Sequence, residues 1–159
     1  MKIMNKFQKK LTNRKEDNKG FSLVELIIVI AIMAILVGIV GTQVIPYINK
    51  SKVAKDQQVL NSISTAAVAA YSENGATSDM TINVFGAVPA DATQAKIQAD
   101  IKTASGYSDL DAFKKALGSD AGKAVMDVKV KFDTSTHKAT TSVTPVDAKY
   151  PIKDVEATL

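Results

Sequence analysis

Gly20-Phe21-Ser22-Leu23-Val24-Glu25 contains the residues of this chain with the sharpest chemical demand. Glu25 is the one charged residue in an apolar run long enough to span a membrane. Hydrocarbon penalises a carboxylate by roughly 2.5–3.5 kcal/mol on insertion scales. A lone acid at such a position is a functional residue by default. The bland alternative is a glutamate near the interface that snorkels to water.

Elsewhere the residues offer little chemistry. No P-loop, G-x-S-x-G, H-E-x-x-H or EF-hand pattern occurs. His137 is the single histidine and falls in an expected surface turn. Asp109 and Asp111 at a helix start read as partners of the helix dipole rather than a cation site. Asn49-Lys50-Ser51 matches a glycosylation sequon, but beside a membrane it is a poor candidate. Lys114-Lys115 and Lys129/Lys131 read as solvated faces.

The elements that must position Glu25 follow from charge and hydropathy. Residues 1 to 20 hold seven of the 20 Lys and Arg and two of the 16 acids, for a net +5. The remainder has thirteen bases and fourteen acids, so the basicity belongs to the leader and no nucleic-acid footprint follows it. Residues 21 to 45 read FSLVELIIVIAIMAILVGIVGTQVI, with Leu26 to Val37 apolar without a break. As a helix, 25 residues extend roughly 37 Å against a hydrocarbon core of about 30 Å. The positive flank should stay cytoplasmic, with residues after about 46 outside. The run is too long for an ordinary secretory signal, and no A-x-A site follows it. A plain signal anchor, or a leader cut before the run, are the alternatives. There is no cysteine, which excludes disulfides, thiolate metal sites and cysteine nucleophiles.

Lys-Gly-Phe-Ser-Leu-Val-Glu-Leu-Ile at positions 19 to 27, ahead of a long apolar helix, resembles the class III signal of type IV prepilins. The likeness extends to major pilins and to pseudopilins of type II secretion and competence systems, and covers residues 1 to about 73. It implies that Gly20 ends the leader, that a prepilin peptidase cuts between Gly20 and Phe21, and that the new Phe21 amine is methylated. Glycine suits such a site because its backbone admits close approach. It implies further that Glu25 pairs with the Phe21 amine, within one helix or on a neighbouring subunit, and so sets register in assembly. Removing one member of a desolvated pair costs about 3–5 kcal/mol. The family's partners would be copies of this chain, the peptidase, an inner-membrane platform protein and assembly ATPases. S-adenosylmethionine would serve the peptidase, and the chain itself would need no cofactor.

Gly38, Gly41 and Pro46 interrupt a good helix, at about 1 kcal/mol per Gly and 3 for Pro. In similar pilins this region melts as subunits pack. A kinked or closely packed membrane helix is the alternative reading. Downstream, Val53, Leu60, Ile63, Ala67, Ala70 and Tyr71 form one helical stripe, ended by Asn74-Gly75. Asp56 lies on that stripe and reads as a solvated charge or a partner of Lys52. Ile82 to Val88 allows one short strand. Asp91 should cap a helix over 92–104, and Ser108 a second, with Leu110, Phe113 and Leu117 inward. Met126, Val128, Val130 and Phe132 alternate as a half-buried strand, Thr134 to His137 turn, and Ala139 to Thr144 return. Val146, Ala148, Tyr150 and Ile152 alternate as a third strand, with Pro151 at an edge.

The expected fold class is α+β: a long N-terminal helix, its first half in the membrane, packed on a small antiparallel head. The expected divisions are a leader (1–20), a membrane and assembly half-helix (21–48) and a head (49–159). The chain reads as a structural filament subunit, for adhesion, motility or biofilm formation, and not as an enzyme. Its location would be the cytoplasmic membrane, then an extracellular pilus. The absence of cysteine departs from disulfide-stapled Gram-negative pilins, and with no Arg beyond the leader it is similar to a clostridial-type pilin. Competing readings are a pseudopilin, a membrane-anchored binding module that never polymerises, and a membrane-tethered enzyme, for which no constellation is found.

Overall fold

The computed structural model describes residues 20–159, so residues 1–19 of the expected leader lie outside the described residues. The described chain forms two compact units, one ending at Val44 and the other comprising Ile45–Leu159.

From Leu23 onward the first unit is helical because no Gly or Pro interrupts the chain until Gly38. α1 (Leu23–Ile39) starts at the N-cap Ser22. Five residues, Val40–Val44, then form a π-helical turn. The sequence accounts for that widening. Pro46 has no N–H, so the Thr42 carbonyl loses its ordinary α-helical donor. The Thr42 hydroxyl also donates to the Gly38 carbonyl at 3.0 Å, which loosens the ladder further. Single π turns within α-helices mark this kind of local mismatch. None of the residues 23–44 is buried.

The second unit opens with α2 (Ile45–Glu73) and ends it at Gly75, which takes φ +61 as the stop predicted there. The apolar stripe of α2 is buried as the spacing predicts: Leu60, Ile63, Ala67, Ala70 and Tyr71 are all under 7 % exposed. The alanines let α3 (Ala92–Ser105) approach α2, and Ile97 and Ile101 complete that layer. Asp91 caps α3, its carboxylate accepting the Gln94 N–H at 2.8 Å. α4 (Leu110–Ala116) is capped by Asp109 rather than Ser108. The carboxylate reaches the Ala112 N–H at 2.7 Å, and the Ser108 hydroxyl donates to the same carboxylate. α5 (Asp120–Lys123) is a single turn capped by Ser119.

Four strands form an antiparallel meander in the order β1 (Met80–Asn83), β2 (Asp127–Asp133), β3 (Lys138–Thr144), β4 (Val155–Thr158). The register pairs Ile82 with Val130 and Val130 with Thr141. Alternation places Val128, Val130 and Phe132 inward, and Ala139, Thr141 and Val143 beside them. Aromatic contacts seal the core: Tyr71 stacks on Phe132 at 4.6 Å, and Tyr107 meets Phe113 edge-on at 5.4 Å. The protein is therefore α+β, with a long apolar N-terminal helix and a helix-backed antiparallel sheet.

Two strand assignments change. Residues 146–152 do not form the third return strand; Val155–Thr158 does. The Asp147 carboxylate accepts the N–H groups of Lys149 and Tyr150 at 2.8 and 2.6 Å, which folds this stretch into a local turn. Pro151 then has no N–H for a ladder. Met126 lies just before β2 and is 70 % exposed, so the inward series begins at Val128.

Candidate assembly motif and the acid beneath the head

Residues 20–25 are built as a helix start. Ser22 has extended backbone, with φ −63 and ψ 139, and its Oγ accepts the Val24 N–H at 3.3 Å. Glu25 reaches back and accepts the Ser22 N–H at 2.9 Å. The pair is a reciprocal capping box, which satisfies donors that a helix start otherwise leaves open. The S-x-x-E spacing carried this signal in the sequence, and Ser22 is a site residue that the sequence reading missed. In the uncut chain Glu25 meets the Ser22 amide, not Phe21.

Phe21 is 89 % exposed, and the apolar side chains that follow it have no cover. The helical run Leu23–Glu73 is long and apolar enough, by length and composition, to cross a membrane. A side chain placed on Gly20, Gly38 or Gly41 would meet nothing within 4 Å. The described residues thus make no steric demand for glycine at these three positions. Pro46 lies in the first turn of α2, next to the π turn.

A second lone acid behaves differently. Asp56 is fully buried, which corrects the reading of it as a solvated charge or a partner of Lys52. Its carboxylate accepts the Gly118 N–H at 2.7 Å and the Ser119 N–H at 3.0 Å. The Ser119 hydroxyl donates to it as well, and itself accepts the Gly122 N–H at 2.9 Å. Gly122 must be glycine here: a Cβ would lie 2.5 Å from Asp56 Oδ2 and 2.6 Å from Leu117 Cβ. The position of Asp56 on an otherwise apolar stripe was the signal for this staple, since a buried carboxylate needs donors wherever the fold can supply them.

Two glutamines act similarly. Gln57 donates to the Lys153 carbonyl at 2.7 Å and accepts the Lys153 N–H at 2.9 Å, which pins the C-terminal segment to α2. Gln98, 2 % exposed, donates to the Asn83 carbonyl at 2.7 Å and holds the loop after β1. His137 sits exposed in the β2–β3 turn with φ +53. Among the described residues, no three His, Cys, Asp or Glu gather as a metal would require.

Residues 17–41 match the family described as the prokaryotic N-terminal methylation motif. No curated protein and no solved structure matches the chain. The motif marks a pilin-type structural subunit, and the apolar helix behind it fits a membrane-anchored pilin. In its methylation motif, its long apolar helix and its α+β head, the chain is similar to type IV pilin-like prepilins.

Proposed function

We propose that this chain is a subunit of type IV pili, cut after Gly20, methylated at Phe21 and polymerised into surface filaments for adhesion, motility or biofilm formation. One observation carries the reading. The methylation motif at residues 17–41 runs into a helix whose apolar side chains are all uncovered and whose one carboxylate is Glu25. Such a surface has no place in water. A bilayer first, and other copies of the same helix afterwards, would cover it.

The glycines support this reading. Gly20 meets no steric demand among the described residues, and a glycine there suits the close approach of a peptidase. Gly38 and Gly41 likewise suit close packing by neighbouring helices. Cutting after Gly20 would turn the Phe21 nitrogen into an ammonium beside the capping box. Glu25 could then exchange the Ser22 amide for that charge, on its own chain or a neighbour. The π turn at Val40–Val44, which contains Gly41 and lies between Gly38 and Pro46, is where the helix would melt on packing.

The catalysis lies with partners: a prepilin peptidase that uses S-adenosylmethionine, a platform protein and assembly ATPases. The chain itself needs no cofactor in this scheme. The test is mass spectrometry of sheared surface material. N-methyl-Phe21 at the N-terminus of filament protein is the expected result. Processed chain confined to the membrane, with a secretion or DNA-uptake defect on deletion, would assign it to a pseudopilus instead. Uncut chain in mature membranes would overturn processing altogether.

A further inference from the structure

The head carries its own apolar surface at one end. Tyr71, near the C-terminus of α2, stacks on Phe132 beside the 134–137 hairpin. Asp56, nearer the N-terminus of α2, binds Gly118 and Ser119. α2 therefore begins at the end of the sheet away from that hairpin. Met126 lies at this end, with its N–H on the Thr144 carbonyl at 2.7 Å. Val146 follows β3 there, and the two side chains are 70 % and 57 % exposed. A cleft of about 300 Å³ joins Asn49 and Val53 of α2 to Lys149 and Tyr150.

One lysine–tyrosine pair lines this cleft, and another lies in the first turns of α2. Lys50 Nζ lies 5.6 Å from the Tyr47 ring centre, and Lys149 Nζ lies 5.5 Å from that of Tyr150. Tyr47 is 71 % exposed. Two acids also line the cleft: Asp147, whose carboxylate accepts the Lys149 and Tyr150 amides, and Asp120. Exposed apolar residues, amphipathic rings and lysines on flexible stems are the composition of a surface that sits at a membrane interface.

We infer that, before assembly, this end of the head rests on a bilayer surface rich in anionic headgroups. Met126, Val146 and the two tyrosines enter the interfacial layer, and Lys50 and Lys149 meet lipid phosphates. The inference rests on the membrane-anchored reading above. The chain enters the head at Ile45 directly after the apolar run, which tethers this end to the membrane span. Lipid contact would keep Met126 and Val146 out of water.

The chain has no cysteine, so single cysteines report cleanly. Full-length chain in liposomes would carry an environment-sensitive dye at Met33→Cys, Thr136→Cys, Met126→Cys or Val146→Cys, one at a time, with a lipid-borne quencher. Dye at 126 and 146 should be quenched several-fold more than at 136 in the hairpin, approaching the level at 33. Removing anionic lipid should abolish the difference, and Lys50→Gln and Lys149→Gln should each lower the lipid-bound population about fivefold. Equal quenching at 126, 146 and 136, with 33 still quenched, sinks the inference and leaves the anchor intact. No quenching at 33 sinks both. Dye at 126 and 146 that is shielded only as protein concentration rises, without lipid quenching, assigns the patch to a second copy and overturns the lipid contact.

Discussion

Glu25 and Asp56 are both carboxylates placed among apolar residues, yet they are used in opposite ways. Asp56 is fully buried and all its donors come from its own chain, across the α4–α5 connection. Glu25 sits on an uncovered helix and, among the described residues, accepts only the Ser22 amide at its own helix start. A capping bond of that kind contributes about 1 kcal/mol and is replaceable. Three charge-assisted bonds in a closed site are not, since each is stronger and its loss leaves a buried donor open. Asp56 is therefore held within the head by donors from distant residues, whereas Glu25 engages one backbone amide among the described residues.

The contrast is broken most severely by alanine at each site. Asp56→Ala should cost the head about 3–5 kcal/mol, because two backbone N–H groups and a hydroxyl lose their acceptor together. Urea unfolding followed by circular dichroism of detergent-solubilised chain measures it. Glu25→Ala should leave that head transition in place and abolish filament yield, measured by shearing and immunoblotting. Normal filaments from Glu25→Ala would remove its assembly role.

A smaller change sharpens the Asp56 side of the comparison. Gly122→Ala forces a Cβ against both Asp56 Oδ2 and Leu117, and overpacking of this kind costs about 1–3 kcal/mol. Because the clash and the staple share an atom, Asp56→Ala and Gly122→Ala should add to less than the sum of their separate losses. Strict additivity in the same unfolding assay would mean that the two sites do not communicate.

The smallest effect concerns a carboxylate at the water-exposed edge of the head. The Asp79 carboxyl is held below its usual value, chiefly because the Thr134 hydroxyl and N–H donate to it. A depressed carboxyl contributes stability that is complete above its unfolded pKa, near 3.8, and is lost as pH falls through the lower folded value. Asp79→Asn should thus lower the melting temperature slightly at pH 7, and the gap should close in strong acid. A gap that persists or widens at the acid end would reverse the assignment.

Local features of the head were legible because their causes are local. The Asp91 cap, the Gly75 stop and the period-two run into Phe132 each involve residues within one turn or one strand. The last strand was not legible, because Val146 to Ile152 alternate as well as any strand would. What displaced it was Asp147 closing a turn on its own neighbours, and Gln57 gripping Lys153 from another element. Asp109 took the cap expected of Ser108 because its carboxylate, supported by that same serine, is the stronger acceptor.

Order along the chain was enough to determine the methylation motif, the apolar helix and the isolation of Glu25, since charge, hydropathy and spacing do not depend on what folds over them. The fate of Asp56 was decided only in three dimensions. Its donors, Gly118 and Ser119, lie far along the chain, and they reach it only once the α4–α5 connection has packed against α2. Burial and hydrogen bonding between distant segments are properties of the packed state, and no local pattern can stand in for them.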